Sequence, residues 1–339
     1  MLSRPFFLAG ALVGATTVAR AAARRRRRID FAGRVTLVTG GSRGLGLALA
    51  RELAAQGARV VICARDEAEL SRARVDLARR GADAVAIPCD VTDQAEVRAM
   101  LEHIRERLGP VEVLINNAGA IQVGPVGAMT LEDYEQALRV HLRAPLLTTF
   151  GVLPDMRRRG EGRIVNIASV GGKISVAHLL PYSTSKFALV GFSSGLRDAL
   201  AREGIYVTTV CPGLMRTGSP RNASFKSRHR DEFAWFSIAD ALPLLSMPAA
   251  DAARRIVEAC RDGRAELVMP LPIAAAVKLQ ALAPALAADV LGLVDRLLPG
   301  PGGIGADSRP GSQSASAWSP SLLTRLSDEA AERNNEVVP

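Results

Sequence analysis

Short apolar runs alternate with amphipathic segments through most of this 339-residue chain, and this alternation limits the folds open to it. The apolar runs have the length and β-branched content of strands, and the segments between them have helical periodicity. Repeated strand–helix units predict an α/β fold, a single Rossmann-type doubly wound parallel sheet with helices on both faces. Strands are predicted at 34–39, 59–64, 83–89, 112–116, 163–168, 205–211 and 265–269, and helices at 45–56, 67–80, 94–108, 131–150 and 182–203.

The first predicted strand runs into a glycine-dense turn that opens into a helix. Glycines allow a tight turn and let backbone amides approach a pyrophosphate at the helix N-terminus. The spacing is Gly-x-x-x-Gly-x-Gly, not the commoner Gly-x-Gly-x-x-Gly, and an ordinary strand-to-helix turn is the alternative. With a strand before it and a helix after it, the turn predicts a nucleotide site formed by Gly40, Ser42, Arg43, Gly44, Leu45 and Gly46.

A second pattern starts at the end of the fifth predicted strand, where Ser169 is followed by Tyr182 and then Lys186. Residues four apart share a helix face, so we expect the Lys186 ammonium beside the Tyr182 phenol. That charge should lower the phenol pKa from about 10 toward working pH. Ser169 would hydrogen-bond the substrate oxygen with which Tyr182 exchanges its proton. The trio predicts proton transfer in an alcohol–carbonyl interconversion, the alternatives being a surface Tyr–Lys pair and a turn serine.

Together the two patterns resemble the short-chain dehydrogenase/reductase family over about residues 29–266. The resemblance implies that Asp90 and Val91 lie at the adenine. It also implies that Asn117, Ala118 and Gly119, from the motif Asn-Asn-Ala-Gly, support the sheet against the cofactor. A loop that closes over the nicotinamide is implied for Pro212, Gly213 and Thr217.

The resemblance further implies direct hydride transfer between nicotinamide C4 and a carbonyl carbon. Tyr182 would donate the proton, Ser169 would fix the carbonyl oxygen, and Lys186 would also hydrogen-bond the nicotinamide ribose. One position departs from the family, because His141 stands where an asparagine commonly helps to hold a relay water. The imidazole could serve that relay with added pH sensitivity, or be a buried histidine hydrogen-bonded to backbone.

The end of the second predicted strand bears on the choice of cofactor. An acidic residue there would hold the ribose 2′-hydroxyl of NAD, whereas an arginine accommodates the 2′-phosphate of NADP. This chain has Arg65 at that position and Arg43 in the glycine turn. Two cations favour NADP(H) over NAD(H), although Asp66 follows directly and Arg65 could instead be a solvated loop residue.

Charge and cysteine usage exclude two classes of site. The net charge is +9, but residues 1–28 hold seven arginines and no acid, which leaves 9 − 7 = +2 for the rest. The folded part is therefore not a basic nucleic-acid surface, and we expect no nucleic-acid partner. The cysteines lack paired or metal-type spacing, so buried thiols and no metal site are expected at Cys63, Cys89, Cys211 and Cys260.

An apolar run at 5–19 precedes an arginine cluster at 24–28. A helix over 5–23 would span about 28 Å, close to the ~30 Å hydrocarbon core of a bilayer. Because such arginines stay cytoplasmic, we predict that 1–28 is an anchor or surface-lying helix that holds the enzyme at the cytoplasmic face of a membrane. A disordered leader and a cleaved signal are the alternatives.

The remaining domain boundaries follow from composition. Residues 29–270 form the predicted Rossmann-type catalytic domain. Residues 271–299 are apolar at helical spacing and predict a helical extension that packs on its own domain or contacts a membrane surface. Residues 300–339 begin with a stretch rich in Gly, Ser and Pro and predict a disordered tail.

The substrate lid is predicted at 214–245, which concentrates aromatic residues in a chain with only 4% of them. Apolar lid residues favour a lipophilic carbonyl or alcohol substrate, unless these aromatics merely close the core. A nucleotide-binding sensor or scaffold of the same fold is a second function class, and a sugar-nucleotide epimerase or dehydratase is a third. Family members are commonly oligomers, and the resemblance leaves a homo-oligomer open here.

Overall fold

A parallel sheet of seven strands forms the centre of the computed structural model, which describes residues 25–243 and 246–337. The strands are β1 (Val35–Thr39), β2 (Arg59–Ala64), β3 (Val85–Pro88), β4 (Val113–Asn116), β6 (Gly162–Ile167), β7 (Ile205–Pro212) and β11 (Glu266–Met269). From edge to edge they run β11-β7-β6-β4-β1-β2-β3. The predicted Rossmann-type α/β fold is thereby confirmed.

Helices cover both faces of this sheet, and every residue of β1, β4 and β6 is therefore buried. One face is covered by α1 (Gly44–Ala55), α2 (Glu67–Arg79) and α8 (Ala249–Arg261), whose apolar residues join one core cluster. The other face is covered by α3 (Gln94–Leu108), α5 (Ala144–Arg159) and α6 (Leu180–Ala199). Short α4 (Leu131–Leu138) precedes α5, and a π-helical turn at Arg139–Arg143 joins the two.

The order of the strands reverses at β1, which pairs with β2 on one side and β4 on the other. Chain segments leaving β1 and β4 therefore diverge to opposite faces, and a crevice opens at their carboxyl ends. The glycine turn follows β1 and the Asn-Asn-Ala-Gly motif follows β4. The loops after β6 and β7 also lie at the carboxyl ends of the strands.

The segment after β7 folds as a small separate layer above the carboxyl ends of the strands. Its strands are β8 (Leu214–Arg216), β9 (Ser224–Lys226) and β10 (Ser246–Pro248), with β5 (Gln122–Val123) pairing in parallel with β9. Helix α7 (His229–Ala241) packs here as well. The aromatic residues of this layer contact one another. Phe225 is fully buried, and its ring centroid lies 5.4 Å from that of Phe233. The lid aromatics thus close a core of their own.

Two helices lie where the sequence predicts an apolar helical extension, α9 (Leu271–Leu282) and α10 (Pro284–Asp295). None of their residues is buried, and Leu271 and Leu282 expose 79% and 82% of their surface. Among the described residues, no helix combines the length and the apolar content needed to cross a bilayer. The predicted anchor at 1–28 lies outside the described residues up to position 24.

The region beyond 300 differs from the predicted disordered tail. Residues 308–337, which we call the strap, contain β12 (Ser308–Pro310) and α11 (Arg325–Arg333). Strand β12 pairs antiparallel with β9. The strap is ordered because α11 buries small residues against the lid layer and the loop after β7, and composition alone does not reveal those contacts.

The described part of the chain begins at the amino ends of the strands, opposite to the crevice at their carboxyl ends. The Arg28 guanidinium donates to Asp262, directly after α8, at 3.0 Å. Arg27 lies over the ring of Tyr206, near the amino end of β7, at 5.2 Å from the ring centroid. Arg27 and Arg28 are therefore fixed at the amino ends of the strands.

Candidate active site

The glycine turn after β1 is shaped by backbone contacts that only glycine allows. Gly40 has a φ of +62°, in the left-handed region. At Gly46 a Cβ atom would lie 1.9 Å from the carbonyl oxygen of Gly40. The first turn of α1, with Leu45 and Gly46 buried, thus packs directly on the end of β1 and aims its amides at the crevice.

Asn117 and Thr39 hold this turn against the end of β4. The Asn117 side chain donates to the carbonyls of Thr39 and Gly40 at 3.0 and 3.1 Å. The Thr39 hydroxyl accepts from the amides of Asn117 and Ala118 at 2.9 and 3.0 Å. These bonds bring the two predicted nucleotide motifs together as one rigid wall.

The adenine-side prediction falls on a turn after β3. The Asp90 carboxylate accepts from the amide and hydroxyl of Thr92 at 2.9 and 2.8 Å. Val91 beside it is 8% exposed. In this structure Asp90 organises its own loop, and a role at adenine stays a prediction.

The two predicted phosphate-binding arginines have different surroundings. Arg65 is exposed at the end of β2. Arg43 lies between two carboxylates, 3.4 Å from Glu69 and 3.5 Å from Glu336 of the strap. Ser42 donates to Glu69 at 2.9 Å. Burial raises the pKa of Glu336 to about 7, and the Arg43 charge opposes that rise.

The loop after β7 closes the other side of the crevice. Pro212 ends β7, and the Gly213 amide donates to the carbonyl of Met269 at 2.7 Å. Thr217 is buried, and its hydroxyl accepts from the Ser219 amide at 3.1 Å. This loop therefore lies at the same edge as the glycine turn.

The predicted proton-transfer trio comes from two adjacent elements. Ser169 lies two residues after the end of β6, and its hydroxyl oxygen accepts from the Gly171 amide at 3.0 Å. Because that oxygen is an acceptor here, the Ser169 proton is available for a further partner. Tyr182 and Lys186 lie one turn apart on α6, with the Lys186 nitrogen 5.6 Å from the Tyr182 ring centroid.

The pKa of Tyr182 does not follow the sequence-based prediction. Burial raises it above its usual value of 10.0, and hydrogen bonding with Ser169 opposes the rise without cancelling it. Lys186 is 4% exposed and donates to the carbonyl of Ile167 at 2.8 Å. Burial lowers the pKa of Lys186 to about 7. The predicted lowering of the phenol pKa by lysine is not found in this structure, because desolvation of the phenolate outweighs the opposing hydrogen bond with Ser169.

His141 lies in the π-helical turn, buried and fully hydrogen-bonded. Its Nε2 accepts from the Ala120 amide at 3.1 Å, so the imidazole proton is on Nδ1, which donates to the Ser185 hydroxyl at 2.8 Å. Ser185 donates in turn to the carbonyl of Tyr182 at 2.7 Å. Burial and the Lys186 charge hold the pKa of His141 well below 6.5. The bond to Ala120 is that of the alternative in which His141 is buried and hydrogen-bonded to backbone, and the bonds through Ser185 link His141 to the Tyr182 backbone.

A buried His–carboxylate pair near Tyr182 has no signal in the sequence. His178, at a φ of +60°, places its Nδ1 2.8 Å from a carboxylate oxygen of Glu232, which is fully buried. Trp235 donates to the same carboxylate at 2.7 Å. The pair joins α7 to the loop before α6. Its members are 54 positions apart, so no local pattern could reveal it.

Two further predictions concern cysteines and metals. All four cysteines are free and buried, and burial raises the pKa of Cys211, the one nearest the trio, to about 12. Within 25–243 and 246–337, no group of three or more His, Cys, Asp or Glu residues is arranged to hold a metal ion.

Comparison with known proteins gives consistent matches. Residues 34–227 match the family model for short chain dehydrogenase. A dehydrogenase/reductase SDR family protein 7-like of Anopheles gambiae is 32% identical over 260 residues, which are 75% of this chain and 80% of that protein. The ketoacyl reductase HetN of Nostoc sp. is 38% identical over 183 residues, 54% of this chain and 64% of that protein.

Among solved structures, an actinorhodin polyketide ketoreductase crystallised with NADPH is similar to this chain, with a TM-score of 0.63 and 35% identity. The match covers 70% of this chain and 95% of that one. About three tenths of this chain therefore has no counterpart in the ketoreductase.

Proposed function

This chain belongs to the short-chain dehydrogenase family, and from that premise we propose that it is an NADP(H)-dependent oxidoreductase that interconverts a hydroxyl and a carbonyl on a lipophilic small molecule. The proposal rests on one observation above the others. Ser169 and the pair Tyr182 and Lys186 converge beside the wall formed by Asn117 and the glycine turn. Proton transfer and nucleotide binding thus share one edge of the sheet.

The glycine turn fits a dinucleotide, since the close packing of Gly46 on Gly40 brings the N-terminus of α1 and its amides to the crevice. Gly40, Gly44, Leu45 and Gly46 would face the pyrophosphate, and Ser42, Arg43 and Arg65 the 2′-phosphate. The bound dinucleotide would supply the hydride. The NADPH in the related ketoreductase supports the choice of NADP(H).

The roles of the trio follow from its protonation. Because the pKa of Tyr182 is raised above 10.0, the phenol is protonated at neutral pH and can donate to a carbonyl oxygen that is gaining negative charge. Ser169 would donate its proton to the same oxygen and fix the position of that oxygen. Lys186, with a pKa of about 7, changes protonation state near neutrality and can restore the lost proton. His141 positions this helix through Ser185.

The names of the relatives support a ketone substrate. Two of them are a ketoacyl reductase and a polyketide ketoreductase, both named for reducing a ketone on an acyl chain. We therefore place β-ketoacyl thioesters among the lipophilic ketones that this chain would reduce.

A panel of ketones tests the proposed function. In the presence of a β-ketoacyl thioester or a hydrophobic cyclic ketone, the full chain should oxidise NADPH. The oxidation is measured as the loss of NADPH absorbance. Initial rates with NADH should be lower. Binding of NADPH without turnover on any ketone would favour the sensor or scaffold alternative. Absence of binding to either dinucleotide would contradict the proposal.

Arg65→Glu tests the cofactor preference. Loss of one charge-assisted hydrogen bond of ~1.5 kcal/mol should raise the KM for NADPH about tenfold, while the kcat stays within about twofold. The KM for NADH should stay equal or fall, because NADH has no 2′-phosphate to repel. Arg74→Glu, which makes the same charge change at an exposed position of α2, is the matched control. Equal effects of both variants would show that Arg65 has no specific role.

A further inference from the structure

The last residues of the strap cross the predicted cofactor crevice. After α11, residues Asn334, Asn335 and Glu336 lie against the glycine turn. The Asn334 carbonyl accepts from the Gly44 amide at 2.9 Å, so it occupies one of the donors at the N-terminus of α1. The Asn335 side chain donates to the Ser42 carbonyl at 2.8 Å and accepts from Arg72 at 2.8 Å.

Glu336 brings a carboxylate to the same place. Its side chain is 4% exposed and lies 3.5 Å from the Arg43 guanidinium. The Asn222 amide donates to it at 2.6 Å. A Cβ atom at Gly44 would lie 2.6 Å from its Oε1, so the carboxylate rests directly on the turn.

Contacts further up the strap hold these residues in position. The Asn334 side chain donates to the Thr217 carbonyl at 3.3 Å, in the loop predicted to close over the nicotinamide. Ala331 is fully buried and packs on Gly218, whose added Cβ would lie 2.3 Å from the Ala331 Cα. Ser327 donates to the buried carboxyl of Asp240 at 2.7 Å. The strap therefore spans the crevice from the loop after β7 to the glycine turn.

The groups that hold the strap are the groups a dinucleotide phosphate would need. An amide at a helix N-terminus and an arginine bind one anion at a time, and a carboxylate offers the same acceptor oxygens as a phosphate. We propose that Asn334, Asn335 and Glu336 are an internal acidic peptide ligand of the glycine turn, which must leave before the dinucleotide phosphates bind. This inference rests on the proposed function, because it takes the glycine turn to be the dinucleotide site.

The size of the effect follows from competition. Apparent affinity falls by the fraction of molecules that are open to the ligand, so a strap that is docked nine tenths of the time weakens dinucleotide binding about tenfold. Release of the strap should therefore lower the Kd without changing turnover at saturating dinucleotide.

Ala331→Arg and Asn335→Ala test the proposal in the full-length chain. The first forces a large side chain between α11 and Gly218, and the second removes the bonds to Ser42 and Arg72. Each should lower the Kd for NADPH, measured by fluorescence titration, about fivefold or more. Glu332→Arg is the matched control, because Glu332 is exposed on the same helix, and it should leave the Kd unchanged.

Hydrogen exchange on the unaltered protein gives an independent readout. Saturating NADPH should speed hydrogen exchange of the backbone amides at 325–337, which are protected while the strap is docked on the domain. Slower exchange there, or an unchanged Kd in both strap variants, would overturn the proposal and leave the proposed function standing. If Ala331→Arg does not fold, Asn335→Ala and the exchange measurement decide. Absence of dinucleotide binding in every variant would refute the proposed function as well.

Discussion

Tyr182→Phe is expected to lower kcat for ketone reduction by about a thousandfold, within the ~10²–10⁴-fold range of general acid catalysis. The change removes the phenol hydroxyl, which hydrogen-bonds with Ser169. The ring is retained, so its edge contact with His141, at 5.3 Å between centroids, should survive and the fold should be preserved. The Kd for NADPH should stay within about twofold, since no phosphate contact is lost.

Tyr206→Phe is the matched control for this variant. It removes the same hydroxyl group near the amino end of β7, at the opposite edge of the sheet, where the ring contacts arginines through its face. Steady-state kinetics of the two variants should therefore differ by about three orders of magnitude. Equal activities would exclude Tyr182 as the proton donor.

Gly46→Ala is expected to damage the cofactor site and the fold together. The added Cβ would lie 1.9 Å from the Gly40 carbonyl oxygen, which is backbone, and 2.6 Å from the side-chain nitrogen of Asn117. Overpacking of this kind costs about 3 kcal/mol, and the glycine turn must move away from Asn117 to accommodate it. We expect a lower free energy of unfolding in urea and a Kd for NADPH raised at least about tenfold.

Gly292→Ala provides the comparison for Gly46→Ala. Gly292 lies in α10 with nothing within 4 Å of an added Cβ, so alanine should stabilise the helix by about 0.5–1 kcal/mol. An unaltered Kd for NADPH in Gly46→Ala would mean that the turn does not hold the dinucleotide.

The sequence was sufficient to predict the sheet, because its strands are buried on both faces and read as apolar runs between helices. The glycine turn and the positions of Ser169, Tyr182 and Lys186 are local patterns at strand and helix ends, so they were predictable too. The pKa direction of Tyr182 was not, because it depends on how deeply the phenol is buried, and burial is a property of the packed structure.

The strap was missed although part of its signal is present. Its buried positions at 327, 330, 331 and 334 have helical spacing, but serine, alanine and asparagine carry little hydrophobic contrast. The contact of Glu336 with Arg43 joins residues from opposite ends of the chain, and only the tertiary structure brings them together. His178 and Glu232 were missed for the same reason.

The attachment of Arg27 and Arg28 at the amino ends of the strands has a consequence for orientation. The two arginines lie near Tyr206 and Asp262, at the opposite end of the strands from Tyr182. The face of the domain that carries Arg27 and Arg28 is therefore turned away from the mouth of the crevice. Contacts made by these two arginines thus leave the mouth of the crevice uncovered.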